Sequence, residues 1–202
     1  MTTHYFTTPS GPERRRTVPV TIWGTELDLS TAAGTFSSDG LDPGTRVLVR
    51  SATPDPAARR VLDLGCGWGP IAVGLARALP SARVDAVDVN ERALALTRDN
   101  AAAAGVADRV HVALPVGLEV PADGYDEIWS NPPIRIGKPA LHALLLDWLP
   151  RLAPHGRALL VVARNLGSDS LQRWLVEQGW PTERLTSAKG FRVLQTRRGD
   201  AG

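Results

Sequence analysis

The first group of residues able to do chemistry is Asp63-Leu-Gly65-Cys-Gly67-Trp-Gly69, three glycines in a run with an acid at its entry. Glycines let a backbone turn sharply and approach a ligand where a Cβ would collide. A turn of this kind can cradle a pyrophosphate, but the dinucleotide pattern is G-x-G-x-x-G, and here the spacing is G-x-G-x-G. The acid two residues before the first glycine would repel a phosphate. It suits a ligand that carries an amino group and a ribose diol. A second acid, Asp88, closes the segment Asp85-Ala-Val-Asp88-Val-Asn90, where a carboxylate can accept hydrogen bonds from both ribose hydroxyls, as in other doubly wound nucleotide sites. The competing interpretation is a structural glycine turn and an unrelated surface aspartate.

The second group is Asn131-Pro132-Pro133-Ile134. An exocyclic or amide NH₂ is a poor nucleophile with two hydrogens to place, so it needs two convergent acceptors. The side-chain oxygen of Asn131 and the carbonyl of Pro132 can supply them, while the prolines fix φ and stiffen the loop. Such positioning can remove about 7 to 11 kcal/mol of a bimolecular barrier. An ordinary Pro-Pro turn is the alternative. Taken together with the first group, these residues suit S-adenosylmethionine as donor and an amino nitrogen as acceptor, without metal. The candidate cofactor residues are Asp63, Gly65, Cys66, Gly67, Asp88, Val89 and Leu114, and the candidate catalytic residues are Asn131, Pro132 and Pro133.

These residues must be held by an alternation of short apolar runs and helical periods. The sequence predicts strands at Val61–Leu64, Arg83–Val87, Arg109–Ala113, Tyr125–Ser130, Ala158–Ala163 and Arg192–Thr196. It predicts helices at Ile71–Leu79, Glu91–Ala104, Pro139–Leu152 and Ser168–Gln178. That order implies an α/β fold, a mostly parallel sheet with helices on both faces. Ligands in such sheets bind beyond the carboxyl ends of the strands, and both candidate groups occupy those positions. Upstream, Thr17–Leu29 alternates as a hairpin around Gly24, and Asp42-Pro43 can cap and open a helix. Residues 1–58 are therefore expected to form a small β-rich extension packed on a catalytic domain of residues 59–202.

The chain has 202 residues with 23 basic and 21 acidic side chains, an ordinary globular balance that excludes wholesale disorder. A lone cysteine, Cys66, excludes an internal disulfide and a cysteine-rich zinc site. The start MTTHYFTTPS has no basic segment followed by an apolar one, and the longest apolar run, Ala158–Ala163, falls far short of the roughly 20 residues of a membrane span. A cytoplasmic protein without membrane association is expected. The slight basic surplus lies at the ends: residues 181–202 carry five cations and two anions.

The chain resembles the class I S-adenosylmethionine-dependent methyltransferases, in particular the small-domain branch that includes small-subunit ribosomal RNA (guanine-N2) methyltransferases. Val61-Leu-Asp-Leu-Gly-Cys-Gly-Trp-Gly-Pro70 and the Asn-Pro-Pro box carry the likeness, together with His4-Tyr5-Phe6, Gly34-Thr-Phe36-Ser37, Leu41-Asp-Pro-Gly-Thr45 and Lys189-Gly190-Phe191-Arg192-Val193-Leu194. The resemblance implies a Rossmann-like sheet of seven strands with a reversed terminal hairpin and methylation of a base amino nitrogen in RNA, most specifically guanine N2 of ribosomal RNA or the small subunit; unlike bacterial members that often carry an additional half-domain, a single catalytic copy is expected here. Two positions depart from the branch. Ile134 replaces an aromatic residue that stacks on the base, and Leu114-Pro115 lacks the polar residue that holds the adenine amino group. Candidate substrate contacts are Phe36, Ile134, Arg135, Lys138, Lys189, Phe191 and Arg192, the cations meeting phosphates and the phenylalanines stacking a base. Solvated surface charge is the alternative for the cations, and core packing the alternative for the phenylalanines. Competing functions are methylation of a protein glutamine amide or of DNA adenine through the same box, and an RNA-binding protein that keeps the fold without catalysis.

Overall fold

A computed structural model describes residues 15–32, 37, 40–132 and 137–199. Seven strands form the main sheet: β3 (Arg60–Leu64), β4 (Arg83–Val87), β5 (Val110–Ala113), β6 (Tyr125–Ser130), β7 (Leu152–Ala163), β8 (Thr182–Ala188) and β9 (Phe191–Arg197). Their order is β5-β4-β3-β6-β7-β9-β8, all parallel except β9, which runs antiparallel to both neighbours. The order reverses between β3 and β6, and the crevice beyond their carboxyl ends is where such sheets bind ligands. Both candidate groups leave the sheet there, one after Leu64 and the other after Ser130.

The sheet is covered on both faces. One face packs Val47 and Leu48 of α1 (Pro43–Ser51), Ile71 and Leu75 of α2 (Pro70–Ala78) and Leu94 of α3 (Glu91–Ala103) against Val61, Trp129 and Leu159. The other packs Leu141 and Leu145 of α4 (Lys138–Trp148) and Leu171 and Leu175 of α5 (Ser168–Glu177) against Leu62, Ile128 and Leu160. Strand alternation sends successive residues to opposite cores, as the neighbours Val61 and Leu62 show.

A separate hairpin, β1 (Arg15–Ile22) and β2 (Thr25–Ala32), lies on α2 and α3 and contributes Ile22 and Leu29 to the first core. Asn100 of α3 secures it. Its amide nitrogen donates to the carbonyls of Ser30 (2.8 Å) and Trp68 (2.8 Å), and its oxygen accepts from the Ser30 N–H (2.7 Å), joining the hairpin to the glycine loop. Both hairpins turn through two residues of positive φ, Trp23-Gly24 and Lys189-Gly190, the type I′ geometry that matches strand twist. Trp23 adopts this unfavourable conformation with its ring edge-on to Trp129 at 5.1 Å and its N–H donated to the Ala52 carbonyl at 2.8 Å.

Several boundaries differ from the sequence expectation. The helix expected over Pro139–Leu152 stops at Trp148; Pro150 forces a short 3-10 turn, and β7 begins at Leu152 instead of Ala158. Strand β8 escapes the periodicity because none of its residues is fully buried: it is the edge strand of the sheet.

Candidate active site

Asp63 is the penultimate residue of β3, just before the loop, and is 1% exposed. One carboxylate oxygen accepts the Ala72 N–H of α2 at 2.9 Å, and the other, Oδ1, has no partner among the described residues. Burial is the main reason its pKa is pushed up to about 8, with the charge of Asp88 adding to the effect and the Ala72 bond opposing it. An unpaired buried carboxylate is costly, and a cationic ligand beside it offsets that cost.

The loop itself is shaped from below. Gly65 and Cys66 N–H groups both donate to the Val87 carbonyl, at 2.8 and 2.9 Å. At Gly69 (φ +85°) a Cβ would fall 2.7 Å from the Thr97 methyl, so α3 lies too close for any side chain. At Gly67 (φ +57°) a Cβ would meet nothing within 4 Å. The first glycine thus serves packing, while the second leaves free space above the loop. Thr97 also donates to the Gly67 carbonyl at 2.9 Å. Cys66 is buried against Thr97 and its thiol is held well above its usual range, chiefly by burial and then by the two neighbouring carboxylates. That makes it an inert filler rather than a nucleophile.

Asp88 stands at the carboxyl end of β4. Its two oxygens accept from the N–H groups of Gly67 and Asn90, each at 2.9 Å, and the Val89 N–H is a third backbone donor, which leaves lone-pair capacity for a further donor. Burial raises its pKa while these backbone donors pull it down. Asn90 caps α3 by accepting from Arg92 and Ala93. Val89 and Leu114, at the ends of adjacent strands, are large apolar residues left 45% and 38% exposed. Two carboxylates, an open glycine cradle and an apolar rim fit the ammonium, ribose and adenine of S-adenosylmethionine.

Asn131 faces this loop across a shallow cleft. Gly65, Gly67 and Ile71 line one wall, and Asp42, Thr45 and Asn131 the other. The Asn131 amide nitrogen donates to Asp42 Oδ1 at 2.7 Å and to Thr45 Oγ1 at 3.0 Å. Pro132 is buried behind it. Pro133, Ile134, Arg135 and Phe36 lie outside the described residues. Asp42 was visible in the sequence only as the cap of α1; nothing there links it to a residue 89 positions away.

The remaining substrate candidates separate. Lys189 is exposed in its hairpin turn. Lys138 starts α4 beside Gly167, whose Cβ would lie 3.3 Å from its side chain. Phe191 is half-buried with its ring against Gly44 of α1, 3.0 Å from where a Cβ would stand. Arg192 requires a correction. It was expected at the acceptor rim beside Phe191, but alternation along β9 turns it to the opposite face, where it is 8% exposed and paired with Asp169 of α5.

The methyltransferase small domain family model matches residues 26–195, and the chain belongs to that family. It is an S-adenosylmethionine-dependent methyltransferase. Relatives include the Bacillus subtilis protein named Uncharacterized protein YbxB, 27% identical over 200 residues that cover 98% of this chain and all of that one. Ribosomal RNA small subunit methyltransferase C of Chromohalobacter salexigens is 36% identical over 176 residues, 84% of this chain and 51% of that protein. Among solved structures, the T. thermophilus 16S rRNA N2 G1207 methyltransferase (RsmC), in complex with AdoMet and guanosine, superposes with a TM-score of 0.78 at 24% identity, over 94% of this chain and 52% of that one. The chain thus spans about half the length of the methyltransferase C relatives and the whole of YbxB. No helix among the described residues is long and apolar enough to cross a membrane.

Proposed function

We propose that the protein methylates an exocyclic amino group of a base in RNA, guanine N2 of ribosomal RNA, in the cytoplasm. The observation that carries this reading is the shared cleft: the glycine loop and Asn131 line the same space. The named activity of the methyltransferase C relatives supports the choice of ribosomal RNA.

When bound, S-adenosylmethionine supplies a methyl group activated by a cationic sulfur. Asp63 and Asp88 complement its positive and hydroxyl-bearing parts, Gly67 leaves room for it, and Val89 and Leu114 cover an apolar ring. Asn131 Oδ1 and the Pro132 carbonyl accept the two N–H groups of the incoming amine and aim its nitrogen at the cofactor side of the cleft. Charge develops on that nitrogen as it attacks, and fixed acceptors stabilise it without reorganising. The proton leaves afterwards to water, so no dedicated general base is required.

The test is transfer of labelled methyl to separate RNA, DNA and protein pools, followed by nucleoside analysis. Label is expected in ribosomal RNA as N2-methylguanosine, and Asn131→Ala should lower turnover by about 10²- to 10³-fold. Label confined to protein or DNA would overturn the acceptor class.

A further inference from the structure

The orientation of Asn131 is set from α1. Asp42 Oδ1 accepts three donors: the Gly44 N–H at 2.7 Å, the Thr45 N–H at 3.1 Å and the Asn131 amide nitrogen at 2.7 Å. An ionised carboxylate only accepts. The end of the Asn131 amide that faces it must therefore be the NH₂, and the carbonyl oxygen is turned away from α1. A rotation of the amide by half a turn would set oxygen against oxygen.

We propose that Asp42 and Thr45 are positioning residues for the methyl acceptor: they lock the amide of Asn131 so that its oxygen, and not its NH₂, meets the acceptor amine. This rests on the reading of Asn131 given above. An unrestrained amide spends part of its time presenting donors to donors, which repels the substrate. The carboxylate adds a second effect, since a charge on the NH₂ side polarises the amide and strengthens its oxygen as an acceptor. That oxygen is the one asked to stabilise positive charge on the attacking nitrogen.

The local build supports the assignment. A serine would cap α1 as well as Asp42 does, but its hydroxyl is a bond shorter and cannot serve two backbone N–H groups and Asn131 together. Pro43 at the first helical position and the Phe191 ring packed on Gly44 hold the turn in place. Thr45 is 5% exposed, and its hydroxyl provides the second acceptor for Asn131.

The test uses Asp42→Ser, which keeps a capping group, and Thr45→Val, which keeps the volume and leaves the cap alone. With small-subunit ribosomal RNA from cells lacking the enzyme, Asp42→Ser should lower kcat by about 10- to 100-fold, with KM for S-adenosylmethionine unchanged. Thr45→Val should act in the same direction by roughly 2- to 5-fold. In an Asn131→Ala background neither substitution should cause a further loss, because the group they act through is gone. The side-chain amide signals of Asn131 in a ¹⁵N–¹H spectrum, identified by their disappearance in Asn131→Ala, should move in both variants. Full additivity with Asn131→Ala, or amide signals unmoved by Asp42→Ser, overturns the positioning role while leaving Asn131 in the site. Undiminished turnover in Asn131→Ala itself overturns the acceptor-site reading, and the positioning role with it.

Discussion

The wall of the cleft that we assign to the cofactor comes from one run of residues, 63–69, with Asp88 after the neighbouring strand, whereas the wall that we assign to the acceptor joins the cap of α1 to the end of β6, 89 residues apart. The first wall is fixed through its own backbone groups: the Val87 carbonyl holds Gly65 and Cys66, and the side chains of Asp88 and Thr97 hold the backbone of Gly67. The second is fixed by side chains meeting side chains. A constant cofactor can be met by a motif that folds locally. An acceptor that differs between enzymes is met by a constellation assembled through the fold, where single substitutions can retune it without disturbing the loop opposite.

The sharpest way to break this division is to attack each wall and measure the ligand of the other. Calorimetry should show Asp88→Ala weakening S-adenosylmethionine at least about 100-fold, roughly 3 kcal/mol, since both the ligand contact and the brace on Gly67 are lost. Asn131→Ala should change that affinity by less than about threefold. If the two variants weakened the cofactor equally, the walls would be a single unit.

A smaller effect, also confined to the cofactor wall, concerns pH. The Asp63 carboxyl has an ordinary pKa of 3.8 and is pushed up to about 8 in the fold. Between those values the folded chain holds a proton that the unfolded chain has released, so stability falls as pH rises from about 4 to about 8 and is insensitive to this group outside the window. Asp88, raised for the same reason, adds in the same direction. Asp63→Asn cannot ionise. Urea unfolding of the cofactor-free protein should therefore show the variant gaining on the wild type between pH 5 and pH 8.5, and parallel stabilities across that range would sink the prediction.

The same division explains what could be read from the sequence. The placement of Asp63, Gly65, Gly67 and Asp88 at the carboxyl ends of β3 and β4 was legible because glycine spacing and strand ends are encoded locally. The central strands were legible from their burial: Val61–Leu64 is buried throughout and apolar but for Asp63, because both faces of β3 are covered. Strand β8 was not, because an edge with no fully buried residue carries no strong pattern. Asp42 looked like a cap and is one, yet its bond to Asn131 depends on how α1 docks on the sheet. Arg192 was misplaced by one residue of alternation. Adjacent residues of a motif need not share a site when the motif is a strand.

The smallest effect tests that last point. Lys189 is exposed at positive φ, a conformation that costs a non-glycine residue about 1–2 kcal/mol, and no core packing there offsets it. Lys189→Ala should leave stability unchanged and weaken RNA binding modestly, reducing the slope of log K against log salt by about one, the signature of one lost phosphate contact. Arg192→Ala should do the reverse. Its side chain is 10% exposed and that of Asp169 62%; with the ion pair discounted for its open side, about 1–2 kcal/mol of stability should be lost with no change in salt slope. Equal salt slopes in Lys189→Ala and wild type would remove Lys189 from the candidate RNA contacts. A reduced slope in Arg192→Ala would put Arg192 back among those contacts, and would mean that the face of β9 toward α5 also meets RNA.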